Sequence, residues 1–251
     1  MNTNHISLKS VDLYYSSVAF KETSLKSLLA NLTKIKSNKP KIQDIHALKN
    51  INLEIRAGER VGLLGHNGAG KTTFLKMVAG LYPISRGTRI VKGKVRSLFD
   101  LGMGFEPDAT GRENILYRGL LLGLSPKYMR QLEAEIIAFA DLGDFIDYPV
   151  KTYSAGMQVR LAFAISTIVS GDLLLLDEIL GAGDANFMLK AKKRILELVE
   201  RSEILVLASH DFASLKALCQ RGIVFHHGEI VFDGLITEAI SAYHTINGIT
   251  V

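Results

Sequence analysis

The chain has 251 residues, 47% of them hydrophobic and 22% charged, which is the make-up of a globular protein with one substantial core and not of a disordered chain. Cys219 is the single cysteine, so no intrachain disulfide can form; a reducing compartment follows most simply, and the thiol reads as a small buried hydrophobe. No run reaches the roughly 18 apolar residues a membrane span needs, since the longest candidate, residues 161–176, is broken by Ser166, Ser170, Gly171 and Asp172; the first ten residues lack signal-peptide form.

In chain order, residues 6–15 and 51–64 read as strands, with alternation clearest in Ile51-Asn52-Leu53-Glu54-Ile55. Between them, residues 16–44 read as an insertion. Leu25, Leu28, Leu29 and Leu32 recur there at helical spacing, predicting an amphipathic helix that lies on a membrane surface or caps the sheet. The net charge of +5 is concentrated near it, in Lys21, Lys26, Lys34, Lys36, Lys39, Lys41 and Lys49. That stretch is either a solvated basic loop or a surface facing anionic lipid or an acidic partner.

Gly65-His66-Asn67-Gly68-Ala69-Gly70-Lys71-Thr72 fits the phosphate-loop pattern G-x-x-x-x-G-K-[ST] at every fixed position. It is preceded by the apolar run 60–64 and followed by a helix-forming run, Thr72 and Thr73 through Ala79, that Gly80 ends. Glycines let the backbone curl so that its N–H groups point inward, and the helix adds its positive end, which together make a concave anion site. Lys71 then reaches the terminal phosphates and the Thr72 hydroxyl holds Mg²⁺, making a nucleotide the first ligand to consider.

Residues 111–145 turn helical, with Ile136, Ile137, Phe139 and Ala140 available for an internal face. Tyr153-Ser154-Ala155-Gly156-Met157 is a small polar turn running into an apolar helix that Ser154 would cap. Leu173-Leu174-Leu175-Leu176 reads as a buried strand that ends in Asp177 and Glu178. Asp177 suits an outer contact to the Mg²⁺ held by Thr72, and Glu178 suits polarising a water for in-line attack on the γ-phosphate. A helix over 187–200 and a strand over 204–207 complete a strand-helix-strand unit, implying a parallel sheet. His210 ends that last strand, either contacting the γ-phosphate or attacking water or sitting as a locally satisfied loop histidine. Residues 222–225 and 229–232 read as a hairpin whose turn is His226-His227-Gly228; those histidines read as turn residues, because no further ligand set with metal-binding spacing is visible.

These motifs, in this order, resemble the ATP-binding cassette ATPases over residues 6–243. The Tyr153–Met157 turn resembles their LSGGQ signature, matching it at Ser154 and Gly156. The resemblance implies an α/β fold: a P-loop NTPase core with a mostly parallel sheet, an antiparallel β subdomain and a helical subdomain at about 107–160, all in one nucleotide-binding domain over 1–251. It implies ATP and Mg²⁺ as ligands. Lys71, Thr72, Asp177, Glu178 and His210 match the phosphate-loop lysine and threonine, the Mg²⁺-linked aspartate, the catalytic glutamate and the switch histidine. Asp184 matches the loop that couples two sites across a dimer, and Tyr15, with Tyr14 its neighbour, sits where an aromatic stacks on adenine.

Leu101-Gly102-Met103-Gly104-Phe105-Glu106-Pro107-Asp108-Ala109-Thr110-Gly111-Arg112-Glu113-Asn114-Ile115 lacks the glutamine most members carry there, with Glu106 in the same stretch. It resembles instead the L-G-x-G-F-x-P-x-x-T-G-R-E-N-I loop of ATPases that export bacterial surface polysaccharides on lipid carriers. The Tyr-Ser-x-Gly-Met signature and the early insertion resemble the same branch, with O-antigen as the leading substrate and capsule or teichoic acid as alternatives. That branch implies a homodimer, a multi-span membrane permease, a lipid-diphosphate-linked polysaccharide and a peripheral place on the cytoplasmic face of the inner membrane, with no nucleic acid expected. The residues after the last strand, 235–251, leave no room for the carbohydrate-binding domain that some O-antigen ATPases add. The rival class, a cassette ATPase acting on ribosomes or DNA, carries tandem cassettes or a long coiled coil, which this sequence lacks.

Overall fold

The computed structural model describes residues 3–16, 44–99, 104–177 and 185–248. The insertion with its leucines and lysines, Glu178 and Asp184 lie outside the described residues.

Two sheets form the body. Strand β1 (His5–Ser16) pairs antiparallel with β2 (Asp44–Arg56) and with β4 (Arg86–Lys92) in a three-stranded sheet ordered β2-β1-β4. The second sheet is ordered β5-β6-β7-β3-β8-β9, from β3 (Arg60–Leu64), β5 (Val95–Leu98), β6 (Leu173–Asp177), β7 (Ile204–Ala208), β8 (Arg221–His226) and β9 (Glu229–Leu235). Every pairing in it is parallel except β8 with β9.

The stretch 51–64 is two strands, not one. β2 stops at Arg56, the chain turns at Gly58 (φ 92°), and β3 begins at Arg60 in the other sheet. β2 begins at Asp44 and is longer on that side than the run 51–64 indicates. It buries alternate residues, Ile51, Leu53 and Ile55, because one face is wet, whereas β3 buries Val61 through Leu64 without a break because both faces are covered.

The period of two explains how the central sheet joins two layers of core. Leu173 and Leu175 of β6 pack with Ile204 and Val206 of β7 beneath helix α1 (Lys71–Val78) and the antiparallel sheet. Leu174, Leu176, Leu205 and Leu207 face the opposite side. There they meet helices α5 (Ala185–Arg201), α6 (Phe212–Leu218) and α7 (Ile236–Ile246). Ile195, Leu198 and Val199 share the buried face of α5, as their spacing predicts. Cys219 belongs to this layer at 3% exposure, and burial pushes its thiol up to about 12.

The helical part comprises α2 (Gly111–Leu121), α3 (Pro126–Ala140), two short 3-10 turns at Gly143–Asp147 and Val150–Thr152, and α4 (Ala155–Thr167). Its own core contains Ile115, Met129, Ile136, Ala140 and Leu161. Of the four α3 residues predicted to face inward, Ile136 and Ala140 are fully buried. Ile137 and Phe139 are partly buried against the same core, and Phe139 also reaches Phe163 and Phe187, with ring centroids 5.9 Å away in each case.

The Thr110-Gly111-Arg112-Glu113-Asn114 segment has a structural logic of its own. Thr110 caps α2 by accepting from the Glu113 backbone N–H (3.1 Å), and the Glu113 carboxylate accepts from the Thr110 N–H (2.8 Å), a reciprocal capping box. Asn114, fully buried, accepts from the Glu106 N–H (2.7 Å) and donates to the carbonyls of Glu106, Ala109 and Thr110, so that residues 106–110 wrap around one amide. Arg112 grips Asp147 and Glu133, holding the far end of the helical part. Replacing Asn114 with Ala removes the partner of the Glu106 N–H, while the carbonyls of Glu106, Ala109 and Thr110 keep their bonds from the backbone N–H groups of Ala109, Val150 and residue 114, and we expect a loss of about 1–3 kcal/mol. Urea denaturation reads this as a lower midpoint.

Candidate nucleotide site

Parallel order brings three strand ends to one edge. Leu63 of β3 pairs with Ala208 of β7, and Ala208 pairs with Asp177 of β6. The loop after Leu64, the Asp177 carboxylate and the residues after Ala208 therefore emerge at one level, where open α/β sheets bind ligands.

The loop from β3 into α1 has the curl its glycines predict: Gly65, Gly68 and Gly70 have φ of 153°, 81° and 112°. Gly70 is the left-handed residue immediately before α1, and no side chain caps that helix, which leaves its first N–H groups to a ligand. Lys71 is 8% exposed and folds back across the loop, with Nζ donating to the carbonyls of Gly65 (2.5 Å) and His66 (3.3 Å). Thr72 Oγ1 donates to Asp177 Oδ2 at 2.6 Å, joining residues 105 positions apart. His210 Nε2 lies 3.1 Å from Asn67 Oδ1, so the end of β7 also reaches the loop.

A cleft of about 740 Å³ opens over these groups and includes Lys71, Thr72, Thr73, Asp177 and His210 in its lining. Ala69, also in the lining, is buried against the first core layer. Tyr15 lines the cleft, its hydroxyl 2.9 Å from Thr73 Oγ1 and held above its ordinary pKa chiefly by burial. Tyr14 turns away and stacks on His46 with ring centroids 4.1 Å apart. Of the two adjacent tyrosines, Tyr15 is the one that meets the cleft.

Ile45, His46 and His227 also line it, and the sequence reading singled out none of them for this site. His46 is fixed by Asp12 at 2.7 Å, and Asp12 also accepts from the Asn50 N–H; both contacts hold the Asp12 carboxyl below its ordinary pKa. The early start of β2 carries Ile45 and His46 to the cleft, and the alternation beginning at Ile51 gave no sign of it.

Ser154 and Gly156 stand elsewhere. Ser154 Oγ accepts from the Met157 N–H at 3.2 Å, capping α4 as predicted, but neither residue lines the cleft of its own chain. The Tyr153 that precedes them is 6% exposed and donates from its hydroxyl to the Phe145 carbonyl at 2.5 Å, so the aromatic in that turn is a packing residue. Glu106 is exposed and outside the cleft lining. Among the described residues no helix is long and apolar enough to cross a membrane.

Comparison with known proteins agrees with this geometry. The family model for the ABC transporter matches residues 48–181. The O-antigen export system ATP-binding protein RfbE of Yersinia enterocolitica is 42% identical over 88% of this chain and 94% of its own length. RfbB of Myxococcus xanthus, with the same description, is 39% identical over 88% of this chain, which spans 51% of that protein. The teichoic acids export ATP-binding protein TagH of Listeria monocytogenes serotype 4b is 40% identical over 81% of this chain and 60% of its own length. A solved ATP-binding cassette dimer in a post-hydrolysis state, bound to ADP and Pi, shares the fold with a TM-score of 0.67 at 22% identity, over 92% of this chain and 98% of that one. The family match covers more than half the chain and the relatives cover most of it, so the chain belongs to the ABC transporter family and is one of its ATPases.

Proposed function

We propose that this chain is the ATP-hydrolysing subunit of a transporter that moves a lipid-linked bacterial surface polysaccharide, O-antigen first among the candidates, across the inner membrane. The observation that carries the catalytic half is the Thr72–Asp177 contact beneath a buried Lys71 at the mouth of one cleft. The export half rests on likeness to proteins named for O-antigen and teichoic acid export.

The residues fit a nucleotide with Mg²⁺. The loop N–H groups and Lys71 offer positive charge to phosphates, while the Thr72 hydroxyl and Asp177 carboxylate are hard oxygen donors already 2.6 Å apart, the ligand type Mg²⁺ takes. Bound there, Mg²⁺ supplies charge neutralisation on the phosphate oxygens. In this reading Tyr15 packs on the adenine, His210 contacts the γ-phosphate and Glu178 takes the proton of the attacking water. The exposed start of α4, with Ser154 and Gly156, serves the nucleotide of a second copy of this chain, and Asp184 couples the two sites. A homodimer then has two equivalent competent sites.

Tyr117, Leu120 and Leu121 expose apolar surface on α2, Leu121 at 74%, with Leu121 close to Gly104 at the start of the 104–110 loop. We assign that face to a multi-span membrane permease, which would hold the chain peripherally at the cytoplasmic side. Closure around ATP moves the permease and hydrolysis resets it.

The test is Glu178→Gln. We expect steady-state hydrolysis to fall about 10²–10⁴-fold, as loss of a general base does, and ATP to hold the variant as a dimer in size-exclusion chromatography. Normal turnover by that protein would remove Glu178 from its role. Affinity purification from detergent-solubilised membranes should bring down a polytopic protein with lipid-linked glycan; ribosomes or DNA in its place would overturn the transporter reading.

A further inference from the structure

The hairpin turn between β8 and β9 is clamped onto the phosphate loop. Gly228 donates from its backbone N–H to the Ala69 carbonyl (2.9 Å), and its own carbonyl accepts from the Lys49 N–H (2.8 Å). A side chain at Gly228 (φ 84°) would meet the Ala47 carbonyl oxygen at 2.6 Å, and His227 beside it is also left-handed at φ 48°. Backbone contacts thus fix where the two histidines stand, next to His66 of the loop: His226 is the last residue of β8 and not part of the turn its sequence suggests, and His227 opens the two-residue turn.

The three imidazoles converge. Ring centroids lie 5.4 Å apart for His66 and His226, 5.0 Å for His66 and His227, and 4.3 Å for His226 and His227. One ring nitrogen from each lies within 4.8 Å of the others. His66 Nδ1 sits 2.8 Å from the Asn67 carbonyl oxygen, which can only accept, so Nδ1 carries the proton and Nε2 presents its lone pair. That Nε2 is shut off from solvent and has no hydrogen-bond partner among the described residues. A donor N–H held by a backbone carbonyl, with the other nitrogen left free, is the arrangement that orients a metal-ligating histidine.

We propose that His66, His226 and His227 form a binding site for one divalent transition-metal ion of the zinc class, tying the phosphate loop to the β8–β9 turn. Three neutral imidazoles with no carboxylate select zinc, cobalt, nickel or copper over Mg²⁺ and Ca²⁺, which take oxygen, so the site does not compete for the cation that accompanies the nucleotide. Tetrahedral Zn–N bonds of about 2.0–2.1 Å place ligand nitrogens about 3.3 Å apart, so rotation of the rings by about 1.5 Å closes the set. The fourth position goes to water. Because His66 and His227 also line the nucleotide cleft, metal and nucleotide share a wall, and occupancy of one site bears on the other. Cys219, the single thiol, lies in the core layer on the far side of the sheet at 3% exposure and does not contribute.

The experiment is a Co²⁺ titration of the untagged full chain without nucleotide, followed by visible absorption, with Zn²⁺ added to displace the cobalt. We expect one Co²⁺ per chain, a d–d band of tetrahedral intensity, displacement by one equivalent of Zn²⁺ and persistence in millimolar Mg²⁺. His226→Gln and His227→Asn should each weaken binding at least about tenfold. Asn is chosen at 227 because it tolerates a left-handed backbone, so this variant keeps the test open if the other folds poorly. Absence of saturable binding, or binding unchanged in His227→Asn, would overturn the proposal.

Discussion

Lys71→Ala should reduce ATP hydrolysis by about 10²–10³-fold, equivalent to about 3–4 kcal/mol of transition-state stabilisation, the scale seen when one preorganised charge-stabilising group is removed from a dry site. The magnitude follows from where the ammonium sits. At 8% exposure, and 2.5 Å from the Gly65 carbonyl, it is already desolvated and positioned over the loop, so its field on a phosphate is little screened and needs no rearrangement to act. Lys71→Arg should recover little of the activity, since a planar fork does not fit a point-charge position between two carbonyls. Steady-state phosphate release checks both variants, with thermal unfolding as the control for fold. A Lys71→Ala protein that keeps more than a tenth of the native rate would take the lysine out of the chemistry.

Where one local rule acts alone, the sequence is close to the structure. Gly70-Lys71-Thr72 after an apolar run predicts both β3, found at Arg60–Leu64, and α1, found at Lys71–Val78, because glycine chemistry and helix initiation agree there. The four leucines of β6 and the face of α5 are likewise legible from period alone. The run 51–64 was harder. Its period changes from alternate burial in β2 to continuous burial in β3, and that change, with Ala57-Gly58 inside it, marks a crossing from a sheet with one wet face to a sheet covered on both. The helical part also runs further than 160, since α4 continues to Thr167 as its apolar residues pass beneath the central layer.

Within the site, legibility followed membership of a motif and not sequence distance. Thr72 and Asp177 meet as their motifs imply, and His210 reaches the loop by its contact with Asn67. His66 could not be matched with His226 and His227 from the sequence, because the parallel pairing of β3 with β8 is what sets them side by side. Tyr15 was separable from Tyr14 only through the Thr73 contact and the Tyr14–His46 stack. For Asn114, a Thr-x-x-Glu pattern signals a helix start, but that the next residue would be buried as the hub of a loop has no local signal.

Gly65→Ala should be the most destabilising single-methyl addition in the phosphate loop. Two separate costs meet there. At φ 153° a β-carbon is strained, at about 1–3 kcal/mol, and the added carbon would stand 2.6 Å from the Phe225 carbonyl oxygen and 3.0 Å from Ala69 Cβ. Relieving that clash means moving backbone of the neighbouring strand β8, at a further cost of about 1–3 kcal/mol. Gly68→Ala separates the two terms, since its φ of 81° is also unfavourable but nothing lies within 4 Å of its β-carbon. Only the backbone penalty of about 1–2 kcal/mol should remain there. For a chain of this length each kcal/mol moves the melting temperature by about 2–4 °C, so Gly65→Ala should melt well below Gly68→Ala, and both below the native chain. Equal shifts in the two variants would mean that β8 yields freely to the loop, and that the close contact between Gly65 and Phe225 does not hold the nucleotide cleft in place.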